Sequence, residues 1–163
     1  MARIATIGVG DPAPDFAAPS KGGIVRLSDY RGKHPVVLYF YPRDHTSVCT
    51  AQACSFRDHL ESFRAAGAVV IGVSGDSIAS HERFAGKHAL PFPLVSDADG
   101  SIRRLYGVPK LLGLIPSRVT FVIDREGIVR SVYSALFESE RHALEAIAAL
   151  ERISAAQSEA GRA

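Results

Sequence analysis

The chain has two thiols, Cys49 and Cys54, and both lie in one short segment. An apolar, strand-like run precedes Cys49, and the residues that follow it carry apolar side chains at helical spacing. Cys49 is therefore expected where a strand leads into a helix. The peptide N–H groups and the dipole at a helix start favour an anion, and so stabilise a thiolate. These features make Cys49 a candidate nucleophile.

The second thiol is expected on a different side of the same helix. Five residues of an α-helix rotate Cys54 by about 140° from Cys49, toward Asp58 and Glu61, and separate the two Cα atoms by about 8–9 Å. A disulfide tolerates a Cα–Cα distance of up to about 7 Å. The first helical turns would have to unwind before the sulfurs could bond. Such a pair suits a catalytic cycle, in which an oxidised Cys49 sulfur is captured by the second thiol, better than a structural disulfide.

The elements that must position these thiols follow from the hydrophobic pattern. Residues 35–40 and 68–73 are continuous β-rich apolar runs, as expected of strands covered on both faces. Between them, the spacing predicts a helix that begins near residues 46–49 and is ended by Gly67. The apolar positions of that helix are Ala53, Phe56, Leu60 and Phe63. Strand, helix and strand in this order predict a right-handed parallel βαβ unit.

The rest of the chain predicts elements that complete one domain over residues 1–163. These are a short edge strand over 24–27 after a Gly turn, a helix over 77–87, an antiparallel hairpin of 119–123 with 128–132, and a closing helix over about 140–153. The tail is expected to fray from about residue 155. A parallel βαβ unit followed by a hairpin and a closing helix is the thioredoxin-like arrangement. The predicted fold class is therefore α/β, a central mixed β-sheet flanked by helices, with an N-terminal β-hairpin extension.

Composition narrows the class of protein further. The 163 residues are 47% hydrophobic and 22% charged, which suits one compact domain with a real core. The formal net charge is only +2 without long charged runs, so nucleic acid and membrane are weak expectations as partners. The N-terminal segment is too short and Gly-broken for a signal peptide, and we expect a cytoplasmic location. In a reducing compartment, two cysteines are more often catalytic, redox-sensing or metal-binding than permanently bonded.

The residues around Cys49 resemble a known family motif. The pattern Pro42-x-x-x-Thr46-x-x-Cys49 is similar to the peroxidatic-cysteine motif of peroxiredoxins. The C-x4-C spacing to Cys54 resembles the peroxiredoxin Q branch, also called bacterioferritin comigratory proteins. Residues 91–97 and 117–124 resemble further stretches of that family, and the resemblance covers most of the chain.

The resemblance implies a thiol-dependent peroxidase that acts on hydrogen peroxide and organic hydroperoxides. Cys49 would attack the terminal peroxide oxygen, and Cys54 would be the resolving cysteine of an intrachain disulfide. Thioredoxin or a similar dithiol protein would reduce that disulfide. The resemblance implies no metal, flavin or haem cofactor. An internal resolving cysteine removes the need for a partner subunit, so a monomer is expected.

The same resemblance assigns supporting roles around the nucleophile. Arg118 would favour the thiolate and hydrogen-bond the peroxide. Thr46 would give its hydroxyl to the sulfur and the peroxide, while Pro42 would shape the pocket and shield the sulfur from water. Backbone N–H groups near Val48 and Cys49 would supply the remaining donors.

Two positions depart from the family pattern. The family commonly has Pro-Gly before the catalytic cysteine, and this chain has Ser47-Val48. The bulkier Val48 narrows the pocket or changes how easily the first turn unwinds. Three residues after the cysteine the family commonly has Glu, and this chain has Gln52. An amide still forms a hydrogen bond, but it supplies no charge to brace the arginine.

Other functions remain open on the sequence alone. Four potential zinc ligands lie close together in the chain: His45, Cys49, Cys54 and His59. Their spacing argues against zinc, because it spreads the ligands around one helix instead of gathering them from a tight turn or from converging elements. A redox sensor that is oxidised by peroxide without efficient turnover is a second alternative. Classical disulfide oxidoreductase activity is disfavoured because the chain has no C-x-x-C motif.

Several of these residues also have an ordinary structural interpretation. Thr46 could serve only as a helix N-cap, and Pro42 could merely end the strand. An arginine at a strand start, such as Arg118, is more often a solvated surface charge. The remaining histidines show no pairing that the sequence explains: His34, His81, His88 and His142.

Overall fold

A five-stranded mixed sheet forms the centre of the computed structural model, which describes residues 7–111 and 113–161. The strands in these ranges are β1 (Ala17–Ser20), β2 (Gly23–Arg26), β3 (Val36–Phe40), β4 (Val69–Ser74), β5 (Leu94–Ser96), β6 (Lys110–Leu111), β7 (Ile115–Pro116), β8 (Val119–Ile123) and β9 (Val129–Ser134). The α-helices are α1 (Ser47–Asp58), α2 (Leu60–Ala65), α3 (Ile78–His88), α4 (Ser101–Leu105) and α5 (Ser139–Ala160). A short 3-10 helix spans Leu27–Tyr30.

The sheet has the strand order β5-β4-β3-β8-β9. The central strand β3 pairs in parallel with β4 and antiparallel with β8, and each of its five residues is buried. The predicted βαβ unit and the thioredoxin-like mixed sheet are therefore confirmed. The expected N-terminal hairpin is formed by β1 and β2, which pair antiparallel. Since β3 is central, the helix that follows it begins over the middle of the sheet.

Two hydrophobic clusters lie on the two sides of the sheet. One contains apolar side chains of α1, α3 and α5, including Cys49, Phe56 and Phe84. The other is covered by the N-terminal segment and α4. No described helix is long and apolar enough to cross a lipid bilayer.

A glycine allows an aromatic ring to lie flat beneath α1. Tyr39 in β3 stands opposite Gly72 in β4, and its ring stacks on Phe56 with centroids 4.5 Å apart. A Cβ atom at Gly72 would lie 2.9 Å from the Tyr39 ring. Any larger residue at this position would displace the tyrosine, and with it the floor on which α1 rests.

The predicted helix after β3 is broken into two pieces. The expectation of one helix up to Gly67 is wrong, because α1 ends at Asp58 and α2 begins at Leu60. His59 between them has non-helical dihedrals, and its Nδ1 lies 2.9 Å from the carbonyl oxygen of Ser55. The imidazole and the backbone N–H of His59 thus both hydrogen-bond to the carbonyl oxygen of Ser55. The apolar period continues across the break, which is why the sequence pattern did not show it.

The closing helix is longer than predicted. It was expected to end near Ile153, but α5 continues to Ala160. The added residues are mainly good helix formers such as alanine and glutamine. Ala156 and Gln157 also line a groove with residues of the β8–β9 turn. The predicted helix over 77–87 is confirmed as α3.

Candidate active site

Cys49 is the third residue of α1 and is 2% exposed. The helix begins where predicted, because Thr46 has an extended backbone and its carbonyl accepts the first helical bond from Thr50 N, at 2.8 Å. Cys49 shares a hydrophobic cluster with Ala53 and Phe56, as the helical spacing predicted. The thiol is therefore buried at the start of a helix, over the middle of the sheet.

Arg118 brings a positive charge directly to this thiol. It immediately precedes β8, and its Nη1 donates to Cys49 Sγ at 3.3 Å. The same nitrogen donates to the side-chain oxygen of Gln52, and Nε donates to the carbonyl oxygen of Leu136 at 3.0 Å. Arg118 is 3% exposed. The interpretation of this residue as a solvated surface charge is therefore wrong.

The hydrogen-bond partners of Arg118 in the described structure leave its positive charge without a carboxylate counter-ion. Within the described residues no carboxylate lies within ion-pair distance of its guanidinium. Its acceptors are a carbonyl, an amide oxygen and the sulfur of Cys49. A buried cation without a counter-ion is costly. The sulfur of Cys49, at 3.3 Å from Nη1 and at the start of α1, is the acceptor among these three that belongs to an ionisable group.

Gln52 holds the arginine without adding a charge. It is fully buried, and its Oε1 accepts the bond from Arg118. This confirms the expectation that an amide still forms a hydrogen bond where the family commonly has Glu. Its Nε2 has no hydrogen-bond partner among the described residues. Gln52 therefore orients the guanidinium and leaves the positive charge uncompensated.

The residues expected to meet the peroxide lie around the junction of β3 and α1. Pro42, in the connecting loop, and Val48, in the first turn of α1, are both half-buried. Thr46 is exposed, and its hydroxyl donates to the carbonyl oxygen of Arg43 at 2.9 Å. The expected hydrogen bond from Thr46 to the Cys49 sulfur is not formed in the described structure. The lone pairs of the Thr46 hydroxyl can still accept a peroxide O–H.

Cys54 is half-buried, and both cysteines are free. Since α1 is continuous from Ser47 to Asp58, the Cα atoms of Cys49 and Cys54 are about 8–9 Å apart by helical geometry. Arg57, three residues beyond Cys54 on the same side of the helix, donates Nη1 to the carbonyl oxygen of His88 at 2.6 Å. The side of α1 that carries Cys54 is thus tied to the end of α3, away from Arg118.

A buried histidine holds the backbone segment to which Arg118 is hydrogen-bonded. His142 in α5 is fully buried; its Nε2 donates to Ala135 O at 2.8 Å, and its Nδ1 accepts from the Thr120 hydroxyl at 2.8 Å. Burial lowers the pKa of His142 to about 4, and the nearby charge of Arg118 adds to that effect. The neutral ring therefore fixes the segment that carries Leu136 O. No local pattern in the sequence indicates this role, because Thr120 lies 22 positions away.

Comparison with known proteins establishes the family. The AhpC/TSA family model matches residues 9–132. The chloroplastic peroxiredoxin Q of Sedum lineare is 47% identical over 143 residues, which make up 87% of this chain and 76% of that protein. The chain belongs to the peroxiredoxin family. The chloroplastic peroxiredoxin Q of Triticum aestivum is 49% identical over 135 residues, 82% of this chain and 62% of that protein. The chain thus spans less than two thirds of the wheat relative.

Solved structures agree with this placement. The peroxidoxin BcpB of Mycobacterium tuberculosis is 38% identical, with a TM-score of 0.84 over 90% of this chain and 98% of that one. A peroxiredoxin Q of Xanthomonas campestris is 34% identical, with a TM-score of 0.79 over 92% of this chain and 98% of that one. The resemblance to peroxiredoxin Q and bacterioferritin comigratory proteins is therefore confirmed. As a peroxiredoxin, the chain is a thiol-dependent peroxidase.

The zinc alternative does not fit the geometry of this peroxiredoxin. No three of the four potential ligands bring donor atoms together within the described ranges: His45, Cys49, Cys54 and His59. The cluster of potential ligands that does form there consists of Asp44, Asp76 and His81. Asp44 of this cluster lies in the loop before α1, and the sequence pattern did not indicate the cluster.

Proposed function

We propose that this peroxiredoxin reduces hydroperoxides with Cys49 as the peroxidatic thiolate and Cys54 as the resolving thiol. One observation carries the assignment of Cys49. Its sulfur lies 3.3 Å from the Nη1 of Arg118, a buried cation that has no carboxylate partner among the described residues. A thiolate with this counter-ion is a nucleophile, and the same guanidinium can bond to the oxygens of a bound peroxide.

The first step is a displacement on oxygen. The Cys49 sulfur forms a bond to the terminal oxygen of the hydroperoxide as the O–O bond breaks, so the sulfur becomes a sulfenic acid and the peroxide is reduced. The remaining oxygen leaves as hydroxide or alkoxide and takes up a proton to become water or alcohol. Arg118 stabilises the negative charge that moves from the sulfur to the leaving oxygen.

The second step needs a change of shape. The Cys54 thiol attacks the sulfenic sulfur, an S–S bond forms, and the hydroxyl leaves as water. The two sulfurs cannot meet while α1 is intact, so its first turns unwind between the two steps. A dithiol protein such as thioredoxin then reduces the disulfide and becomes oxidised itself.

Two buried polar groups ease this unwinding. Gln52 Nε2 and Ser55 Oγ are both buried in α1 and have no hydrogen-bond partner among the described residues. An unsatisfied buried donor or hydroxyl costs about 1–3 kcal/mol relative to its solvated state. Exposure of this segment to water relieves that cost. The contact with Arg118 therefore stabilises the folded first turns of α1, while the two unsatisfied polar groups lower the free energy needed to unwind them.

The substrate class follows from the burial of the sulfur. Since Cys49 is 2% exposed, the reactive oxygen must enter a narrow site while the rest of the molecule can lie outside. A related structure, the bacterioferritin comigratory protein of Xanthomonas campestris, is described by its alkyl peroxide reduction activity. We propose that this chain accepts both hydrogen peroxide and organic hydroperoxides. The monomeric state and the cytoplasmic location stay predictions from the sequence.

A coupled assay tests the proposal. Hydrogen peroxide or an alkyl hydroperoxide is the oxidant, thioredoxin with its reductase is the electron donor, and consumption of the reductant is followed. Sustained turnover is expected for the wild type and none for Cys49→Ser. Cys54→Ser should consume one peroxide per chain and then stop. Retained activity in Cys49→Ser would overturn the assignment of the nucleophile.

Mass spectrometry separates the two thiol roles. Peroxide-treated wild type should contain a Cys49–Cys54 disulfide, and its absence would overturn the resolving role of Cys54. Stoichiometric oxidation without turnover would instead support a peroxide-responsive sensor. Size-exclusion chromatography of the reduced protein checks the expected monomer.

A further inference from the structure

Asp44 is a buried anchor in the loop between β3 and α1. It is 3% exposed, and its carboxylate accepts three side-chain hydrogen bonds. The donors are the hydroxyl of Tyr41 at 2.6 Å, the hydroxyl of Ser80 at 2.9 Å and Nδ1 of His81 at 2.6 Å. Its backbone N–H donates to Asp76 at 2.8 Å. One loop residue is thus fastened to the end of β3, to α3 and to the segment after β4.

The partner of Asp44 is a charged histidine. His81 is 2% exposed, and both of its ring nitrogens face acceptors: Nδ1 faces Asp44 Oδ2, and Nε2 lies 3.1 Å from the carbonyl oxygen of Val95. Two acceptors require two ring protons, so the geometry assigns an imidazolium. Burial raises the pKa of Asp44, but the hydrogen bonds from His81 and Tyr41 outweigh it and leave that pKa below its usual value. The two groups form a buried ion pair.

The same cluster is not built as a metal site. Ligand atoms of Asp44, Asp76 and His81 lie within 4.8 Å of one another. However, Asp76 Oδ2 already accepts bonds from Asp44 N and from the Ser74 hydroxyl at 2.7 Å. Both nitrogens of His81 are donors and have no free lone pair for a metal. These contacts of Asp44 with Tyr41, Asp76, Ser80 and His81, which we call the lock, hold separate segments of the chain together.

The loop that this lock holds is strained. His45 has a φ of +63°, a left-handed conformation that is unfavourable for a residue with a side chain. Its ring packs edge-on against Phe84 of α3, with centroids 5.3 Å apart. Asp44 precedes it and Thr46 follows it, so the anchored carboxylate and the helix start fix the two ends of the strained step. Such a conformation persists only where its surroundings enforce it.

We propose that the Asp44–His81 ion pair positions the peroxide-binding loop, residues 42–46, relative to Cys49. Neither residue touches the reacting atoms; both act by holding Pro42 and Thr46 in place. The cation that contacts the Cys49 sulfur is Arg118, whose hydrogen-bond partners among the described residues are Leu136, Cys49 and Gln52 and no residue of the Asp44 cluster. The lock therefore sets the geometry of peroxide binding and leaves the ionisation of the thiol to another part of the structure. The inference rests on the proposed function of Cys49.

Two reactions of the Cys49 sulfur distinguish the role of the loop from the role of Arg118. In a Cys54→Ser background, oxidation of Cys49 by hydrogen peroxide needs the loop, whereas alkylation of Cys49 by iodoacetamide needs only the thiolate. Asp44→Asn and His81→Gln each remove the ion pair at nearly constant volume. We expect each to lower the rate constant for peroxide oxidation about 10- to 100-fold, because small displacements of positioning groups have effects of this size. The alkylation rate constant should stay within about two-fold of the parent, since the Arg118 contact is intact.

Asp124 provides a matched control. It is 4% exposed, and its carboxylate accepts bonds from Glu126 N, Ile128 N and, at 2.6 Å, Arg130 Nε. Asp124→Asn thus weakens a comparable buried carboxylate site in the β8–β9 turn. It should alter thermal stability but neither rate constant. Ser80→Ala removes only one hydrogen bond to Asp44. This milder variant tests the same role if Asp44→Asn and His81→Gln do not fold. It should lower peroxide oxidation by a smaller factor, again without affecting alkylation.

The outcomes are distinguishable. Selective loss of peroxide oxidation in the Asp44, His81 or Ser80 variants supports the positioning role. A folded Asp44→Asn protein that is oxidised at the parent rate overturns it, as does a parallel fall of both reactions. If Cys49 of the parent protein itself fails to react with hydrogen peroxide, the proposed function fails, and this result is separate from failure of the lock.

Discussion

Two buried cationic groups flank the junction of β3 and α1, and they are paired in opposite ways. His81 lies 2.6 Å from the carboxylate of Asp44, and each of its ring nitrogens has an acceptor. Arg118 bonds to Leu136 O, to Gln52 and to the thiol of Cys49. The first cation has a permanent counter-ion, whereas the second obtains one only when the thiol ionises.

This difference separates the part of the site that must stay fixed from the part that must react. A fully paired ion such as Asp44 gains nothing by a change of partner, so the loop it holds can remain in one place through the cycle. In the proposed cycle, the Arg118 contact loses its thiolate when Cys49 is oxidised to the neutral sulfenic acid. Oxidation therefore removes one of the attractions that hold the first turn of α1 down, at the stage when that turn must open.

The largest effect is expected when the reactive cation is removed. Arg118→Ala should lower the rate constant for Cys49 oxidation by hydrogen peroxide about 10²- to 10³-fold, the scale of losing a preorganised charge at a reacting group. Arg118→Lys should recover part of the rate, because a point charge replaces the planar fork. Stopped-flow measurement with a single turnover of peroxide gives the rate constant.

Arg130→Ala is the matched control for this change. Arg130 is half exposed and pairs with Asp124 in the β8–β9 turn. The Arg130→Ala substitution also removes one positive charge from the protein, but that charge does not contact Cys49. The rate of Cys49 oxidation should therefore be unchanged. Equal losses in the Arg118 and Arg130 variants would mean that net charge, and not the contact with Cys49, sets the rate.

An intermediate effect is expected when Arg118 is given a permanent counter-ion. Gln52→Glu places a carboxylate at the position that now bonds to the guanidinium, which makes this site resemble the His81 pair. Alkylation of Cys49 at neutral pH should slow about 3- to 10-fold, because the new charge competes with the thiolate for the cation. The free energy of unfolding should rise, since the buried cation is no longer unpaired.

Gln157→Glu makes the same substitution at an exposed position of α5. It should change neither the alkylation rate nor the stability beyond a few tenths of a kcal/mol, as surface changes usually do. Faster alkylation in Gln52→Glu would show that orientation of the guanidinium outweighs its neutralisation.

The last effect is on the stability of the fold and not on the reactivity of Cys49, and it concerns the neutral histidine behind Arg118. The pKa of His142 is about 4 in the folded protein against 6.5 for the free side chain, so the unfolded chain binds the extra proton between these values. Stability should therefore fall as the pH drops from 6.5 to 4, by at most about 3 kcal/mol. Asp44 does not interfere, because its pKa is lowered from 3.8 and it titrates below this window.

Urea unfolding across this pH range checks the prediction against His142→Gln. Glutamine can accept from Thr120 and donate to Ala135 as the neutral imidazole does, but it does not titrate. The stability difference between the two proteins should shrink steadily toward low pH. A constant difference would show that His142 is not held neutral by the fold.

Local patterns in the sequence were sufficient for the elements that carry the nucleophile. The apolar run of β3 and the spacing of Cys49, Ala53 and Phe56 predicted the strand, the helix and the buried side of α1, because each depends on neighbouring residues. The burial of Arg118 needed the fold. Its position beside Cys49 depends on the antiparallel pairing of β8 with β3, which joins residues about 80 positions apart.

The histidines show the limit of such reasoning more clearly. His81 meets Asp44 from 37 positions away, and His142 meets Thr120 from 22 positions away. Neither pair leaves a periodic or local signal, because the sheet order alone decides which segments meet. The break at His59 was missed for a related reason. The apolar period continues into α2 while the side chain of His59 competes for a backbone carbonyl.

The most direct test of the central claim is the rate of Cys49 alkylation by iodoacetamide at neutral pH in the Cys54→Ser background. Arg118→Ala should slow this alkylation, because the reacting sulfur loses the cation that contacts it. Asp44→Asn should leave the alkylation rate unchanged, since that residue holds the loop and does not contact the sulfur. An unchanged alkylation rate in Arg118→Ala would contradict the claim that the buried arginine supports the reactive sulfur of Cys49.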